Sequence, residues 1–234
     1  MSAQSPGQKF DYDRHARSRP LDDYWGQVLR TVKGIPVSED QIDQIVSAIC
    51  TGLDFEPGDE LLDIACGNGA LSQRLFGFCA GFLGVDISPR LISVARANFE
   101  KTPDVCFLEV GAGDYIVREP HPERFTKVLC YGSFQYFSED DAGCVLHTLF
   151  QRFRGVQRCF IGNLPDRERA FEFYKEPVTQ EALSDHQTAI GIWRTRQEFE
   201  SLARQSGWTV HFSTMPNEFY ASYYRYDALL MRAS

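Results

Sequence analysis

From residue 57 onward, short apolar runs alternate with amphipathic stretches. "ELLDIA", "GFLGVD", "VCFLEV", "KVLCYGSF" and "RCFIGNL" are brief and apolar, and each reads as a strand. Between them the apolar spacing becomes helical. A helix carrying Leu71, Leu75 and Phe78 is expected after the first run, and one over "SPRLISVARANFE" after the second, with Ser88 as N-cap and Pro89 at N1. "SEDDAGCVLHTLFQRF" predicts a helix with an acidic first turn, as the macrodipole favours. Two strands, "WTVHFSTM" and "YYRYDALLMR", close the chain without a helical pattern between them, so they are expected to pair antiparallel.

Strands alternating with helices predict an α/β fold, a mostly parallel, doubly wound sheet with helices on both faces. The expected sheet has seven strands and ends in the antiparallel pair. Before it, "DDYWGQVLRTVKG" reads as a short helix ending near Gly34. "SEDQIDQIVSAICTGL" reads as a helix opened by a Ser38–Gln41 capping box, with Ile42, Ile45, Val46 and Ile49 on one face. Residues 1–20 are polar and of mixed charge, and a mobile arm is expected there. Residues 165–193 lack a clean period and read as an irregular insertion with room for a helix, followed by a helix with a Thr195–Glu198 capping box. The expected organisation is an arm and helical lid over 1–56, then one domain over 57–234 with a lid insertion at 165–193.

The chain has 234 residues, 43% of them hydrophobic, enough for one large domain with a sizeable core. Its formal net charge of −8 disfavours tight, nonspecific nucleic-acid binding, which rests on Lys and Arg neutralising phosphates. No apolar run is long enough to span a bilayer, and the N-terminus has no apolar signal core. The seven cysteines are scattered, without CxxC or zinc spacing, so buried free thiols in a cytoplasmic protein are expected.

The candidate chemistry centres on "LLDIACGNGALSQRL", where a strand ends in an acid and a turn follows with Gly67 and Gly69 around Asn68. A lone G-x-G is satisfied by a plain tight turn. Two acids add to it here: Asp63 at the end of the first strand, and Asp86 at the end of the second, where an acid can grip ribose hydroxyls. A dinucleotide site would want G-x-G-x-x-G, but position 72 is Ser, and Asp63 would repel a pyrophosphate. An NAD(P)-binding oxidoreductase is therefore the weaker alternative. A nucleoside with an amino-acid tail suits both acids.

Leu61-Leu62-Asp63-Ile64-Ala65-Cys66-Gly67-Asn68-Gly69 and Gly84-Val85-Asp86-Ile87-Ser88 resemble the two cofactor signatures of class I S-adenosylmethionine-dependent methyltransferases of small-molecule type. Ala65 replaces a frequent glycine of that pattern. The resemblance spans about residues 57–232. It implies S-adenosyl-L-methionine as cofactor, with Asp63 and the loop Ala65, Cys66, Gly67, Asn68 and Gly69 facing the methionine portion. It also implies Asp86 on the ribose and Ile87 beside the adenine. "EVGAGDYI" is ambiguous for the adenine amino group: Ala112 fits by spacing, whereas the acid is Asp114. Cys130, Tyr131 and Gly132 are implied to border the transferred methyl, although Tyr131 fits a packing role as well. Tyr24 and Trp25 either fold over the cofactor or pack their helix on the sheet. Arg30 is either a partner for the cofactor carboxylate or a solvated side chain.

The reaction implied is methyl transfer to a small O- or N-nucleophile by in-line displacement. A noncatalytic cofactor-binding or interaction protein is the other alternative. Position 131–134 reads Tyr-Gly-Ser-Phe rather than the N/D-P-P-Y/F of base-methylating enzymes, so no nucleic-acid substrate is expected. No catalytic metal is expected, because the acidic ligands of the metal-dependent class are missing. No membrane partner is expected either, and the chain should be a monomer or homodimer. His186, in the insertion, is the candidate catalytic base, with Tyr131 or Tyr220 as alternates, although a loop histidine exposed to solvent fits the sequence equally.

Overall fold

A computed structural model describes residues 11–232. The strands are β1 (Glu60–Ile64), β2 (Gly81–Asp86), β3 (Val105–Glu109), β4 (Lys127–Tyr131), β5 (Arg158–Pro165), β6 (Trp208–Ser213) and β7 (Arg225–Arg232). They form one seven-stranded sheet in the order β3-β2-β1-β4-β5-β7-β6. The pairs from β3 through β5 are parallel, and β7 is antiparallel to both of its neighbours. Strand order reverses beside β1, which pairs with β2 on one side and β4 on the other. The crevice at the carboxyl ends of β1 and β4 is thus where such a sheet binds ligands.

The pleat explains both faces of the core. Leu62, Ile64, Val128 and Cys130 point to one side, under α5 (Ala112–Arg118), α6 (Glu139–Arg152) and α9 (Arg196–Gln205). Leu61, Leu129 and Tyr131 point to the other, under α3 (Glu39–Leu53) and α4 (Pro89–Phe99). Buried Ile42, Ile45, Ile49 and Leu53 supply the inner stripe of α3. The Thr195–Glu198 capping box is formed, with both reciprocal hydrogen bonds, at 3.0 and 2.7 Å. At Asn163, in the left-handed region at φ 64°, the register of β5 against β7 shifts in a bulge.

Four local expectations are corrected. After β1 there is only a 3₁₀ turn over Ser72–Arg74, not a helix. Ser72 is fully buried with its hydroxyl spent on Asp63, and Gly77 follows closely, a poor helix former. The helix expected to reach Gly34 is the single turn α2 (Tyr24–Gln27), followed by a hairpin pairing Thr31 with Pro36 and Val32 with Ile35. Lys33 and Gly34 both have positive φ (52° and 80°), as a two-residue hairpin turn requires. Ser38 is the N-cap of α3 but makes no side-chain cap bond. Gln41 is drawn away by the C-terminal connection, accepting from the Tyr220 amide at 2.8 Å and donating to the Glu218 carbonyl at 3.3 Å. Finally, the arm is not irregular over 11–20: α1 (Tyr12–Arg17) is capped by Asp11, which accepts from the Arg14 amide at 2.9 Å. Residues 1–10, the rest of that expectation, lie outside the described residues.

The insertion is mostly irregular, with a 3₁₀ turn over Arg167–Arg169 and two short helical turns, α7 (Ala170–Phe173) and α8 (Gln180–Leu183). Among the described residues no helix is long and apolar enough to cross a membrane.

Candidate active site

The loop after β1 turns on backbone conformation. Ala65, Gly67 and Gly69 all have positive φ, at 61°, 61° and 74°. At Gly69 a Cβ would also lie 2.9 Å from the Phe107 ring, so that position needs glycine twice over. Ala65 adopts the same left-handed conformation with a methyl group, a local strain that glycine would not carry.

Two acids face each other across this loop. Asp63 is 3% exposed and accepts the Ser72 hydroxyl at 2.6 Å. Burial raises its carboxyl to about 7; the Ser72 bond opposes this, the Asp86 charge adds to it and the Arg30 charge opposes it. Asp86 accepts the Ser88 amide at 2.8 Å on one oxygen and the Gly67 amide at 2.9 Å on the other. Burial pushes it up too, against those two amides.

A cavity of about 700 Å³ opens over these groups, within the range of small-ligand sites. Asp63, Ala65, Cys66, Gly67, Asn68 and Asp86 line it. So do Ile87, 77% exposed at the rim, and Ala112. Trp25, Arg30, Tyr131, Gly132 and His186 complete the sequence-predicted residues that the structure brings to it. Gly69 supports the turn from beneath, against Phe107. Among the described residues, no group of three or more His, Cys, Asp or Glu is placed to hold a metal ion.

Three expected cofactor residues point elsewhere. Cys130 is buried on the opposite face of β4, because alternation gives the cavity to Tyr131 and the α5–α6 core to Cys130. Asp114 is exposed in the first turn of α5, 3.4 Å from Arg118. Tyr24 donates to Asn98 at 3.1 Å and packs its ring 5.4 Å from Phe99, which anchors α2 on α4. Asn68 lines the cavity, but its amide is occupied: it donates to the Tyr24 carbonyl at 2.8 Å and to Gln27 at 3.0 Å. It fastens the N-terminal segment to the loop.

That segment contributes two groups the sequence reading missed, Asp13 and Tyr12. Asp13 of α1 accepts from the Ser88 hydroxyl at 2.7 Å and from the Arg90 amide at 2.9 Å, which satisfies the first turn of α4 from outside its own chain neighbourhood. Tyr12 lines the cavity and meets Tyr136 edge to face at 5.0 Å. Trp25 and Tyr131 flank Arg30, whose guanidinium carbon lies 5.6 and 5.2 Å from their ring centroids. The available signal was Asp11 preceding "YDRHAR" as an N-cap; mixed charge concealed it.

A parallel sheet reversing at β1 and β4, a glycine turn at the reversal, and acids closing β1 and β2 define a Rossmann-like methyltransferase fold. Residues 61–154 match the family model described as a methyltransferase domain. Among curated relatives, a ubiquinone biosynthesis O-methyltransferase of Thiobacillus denitrificans is 35% identical over 74 residues, 31% of each chain. A ribosomal RNA small subunit methyltransferase A of Geobacter metallireducens is 32% identical over 72 residues, 31% of this chain and 25% of that one. The match thus spans about a third or less of these relatives. Magnesium protoporphyrin IX methyltransferase from Synechocystis, solved with S-adenosylmethionine, shares the fold at TM-score 0.59 and 14% identity, covering 98% of this chain and 100% of that chain.

Proposed function

We propose that this protein transfers a methyl group from S-adenosylmethionine to a small-molecule acceptor. The observation that carries this reading is the cover: α1, α2 and the 186–188 loop contribute walls to the same cavity as the glycine turn. A partly covered, aromatic-walled space suits a small molecule better than a polymer backbone. Relatives named for a quinone pathway and for ribosomal RNA leave both acceptor classes represented, and the cover and the net charge of −8 favour the first.

The polar groups of the cavity match those of the cofactor. Asp86 faces the ribose hydroxyls. The Asp63 carboxylate takes the ammonium of the methionine tail, and Arg30, on the same side of the sheet, its carboxylate. Ile87 and Ala112 flank the adenine. Bound, the cofactor supplies an electrophilic methyl on a sulfonium leaving group. The chain's own task is then chiefly positioning and exclusion of water. Tyr131, at the carboxyl end of β4, borders the acceptor. His186 is the candidate to take the acceptor's proton, or to orient it, from the 186–188 loop.

The test is incubation of the purified protein with methyl-labelled cofactor and, separately, a metabolite extract and bulk RNA. Label should enter the small-molecule fraction. Incorporation into RNA at a comparable rate would reject the small-molecule assignment.

A further inference from the structure

Two segments far apart in the chain cover the cavity. α1 brings Asp11, Tyr12 and Asp13 to its wall, and the loop after α8 brings His186, Gln187 and Thr188. α1 is tied to the acids at the strand ends: Asp13 accepts from Ser88, whose amide donates to Asp86. The loop is tied chiefly to itself. The Thr188 hydroxyl donates to the Asp185 carbonyl at 3.1 Å and accepts from the Gly191 amide at 3.0 Å. The Gln187 amide donates to the Asp185 carboxylate at 2.8 Å.

The two covers meet at Tyr136. It ends the 3₁₀ turn Phe134–Tyr136 that follows β4, and it lines the cavity. Its ring takes the edge-to-face contact with Tyr12 at 5.0 Å, and its hydroxyl donates to the Ala189 carbonyl at 3.0 Å. The residue before it pins the exit of the loop, where the Gln135 carbonyl accepts from the Ile192 amide at 2.8 Å. Gly191, at φ 80°, passes so close to that carbonyl that a Cβ would lie 2.4 Å from its oxygen. Ile190 is buried beside it. The exit is thus fixed by backbone and core, and the stretch left to shift as a unit is 185–189, which the Tyr136 hydroxyl holds. One neutral hydrogen bond and one aromatic edge contact are each modest, the scale at which a segment opens locally and a ligand biases the opening.

We propose that Tyr136 is a positioning residue that links the two covers: cofactor bound beside α1 holds Tyr12 against Tyr136, and Tyr136 holds the 185–189 loop, with His186, over the acceptor's side of the cavity. This rests on the methyltransferase reading above and adds an order of events to it, in which the acceptor's side is set once the cofactor is in. The cofactor biases the loop through α1, because it gains contacts when α1 is down that it lacks when α1 is lifted.

The experiment is hydrogen exchange read by mass spectrometry on the full chain, free and saturated with S-adenosylhomocysteine, whose binding is measured first by calorimetry. If that ligand does not bind the parent, the cofactor reading fails and the link falls with it. If it binds, the amides of 185–189 should exchange about three- to tenfold more slowly in the complex, the worth of one neutral hydrogen bond. Tyr136→Phe keeps the ring against Tyr12 and removes only the hydroxyl. It should bring the ratio of free to bound exchange in 185–189 near one, while the amides of α1 are still slowed by the ligand. Tyr12→Leu, which removes the ring contact and leaves the Ala189 bond, should lower the same ratio, and it carries the test if Tyr136→Phe does not bind. A purely structural Tyr136 would speed exchange with and without ligand alike and leave the ratio in place, which overturns the link. So does a loop whose exchange the ligand leaves unchanged in the parent, since nothing then reaches it. A loop slowed equally in parent and variants is held by the ligand itself, and that result overturns the link as well. Loss of binding in both variants would make the tyrosines part of the ligand's own site and overturn it too.

Discussion

Asp13 and Ser88 are 75 positions apart in the chain, yet the Ser88 hydroxyl donates to Asp13 at 2.7 Å while the Ser88 amide donates to Asp86 at 2.8 Å. One serine therefore joins the N-terminal cover to the acid proposed to hold the ribose. Asn68 joins the same cover to the glycine turn through Tyr24 and Gln27. The cover and the glycine turn are built as one unit.

Breaking that join should expose the cover. Asp13→Ala removes the acceptor of both the Ser88 hydroxyl and the Arg90 amide. Hydrogen bonds to charged groups contribute about 1.5–3 kcal/mol, and partial exposure of Asp13 places the effect at or below the low end. Limited proteolysis should cut within 11–30 faster than in the parent, and S-adenosylhomocysteine affinity should fall up to about tenfold. Unchanged cleavage would show that the cover stays down without this contact.

Ala65 offers a test of backbone strain. Its φ of 61° is one glycine adopts freely, while a Cβ costs roughly 1–2 kcal/mol. Glycine gives back part of that through its unfolded-state entropy. Ala65→Gly should therefore raise stability by about 0.5–1 kcal/mol in urea unfolding. A lower midpoint would mean that the methyl group's packing outweighs its strain.

The proposed contact of Asp63 with the cofactor should depend on pH. Its folded-state value of about 7 lies above the ordinary 3.8, chiefly through burial. With the folded value raised, the contribution of this carboxyl to stability is most favourable below about pH 4 and declines as pH rises toward 7. Ionised Asp63 is also the form that takes an ammonium, so S-adenosylhomocysteine should bind more tightly as pH rises from 6 to 8. Asp63→Asn should stabilise the ligand-free protein at pH 8 and flatten the pH dependence of binding. Calorimetry across that interval decides it. A slope in the variant equal to the parent's would place the titrating group elsewhere.

The sheet and both acids of the cavity were legible because their signals are local. Each strand is a short apolar run, and Asp63 and Asp86 are the residues at which two of those runs stop. What was hidden depends on partners far along the chain. Ser72 leaves no helix after β1 because it turns inward to Asp63, and Gln41 abandons its cap for Tyr220. Cys130 and Tyr131 are indistinguishable in a fully buried strand until the neighbouring layers assign each face. The N-terminal helix was hidden for the same reason: its charged residues read as solvated until Asp13 meets Ser88.

His186 is the proposed base. With an acceptor in hand, His186→Ala should lower turnover by about 10²–10⁴-fold, the usual contribution of general-base catalysis, and leave cofactor affinity nearly unchanged. A loss of less than a few-fold at every pH would remove it from the chemistry and leave positioning as the source of rate.

The cofactor assignment is tested most directly by titrating S-adenosylhomocysteine and NAD into the protein and into Asp86→Ala in a calorimeter. The account predicts one-to-one binding of S-adenosylhomocysteine, no binding of NAD, and a loss of about 1.5–3 kcal/mol in the variant, the range for hydrogen bonds to a charged group. Binding of NAD in preference, or an affinity for S-adenosylhomocysteine that a folded Asp86→Ala leaves untouched, would contradict it.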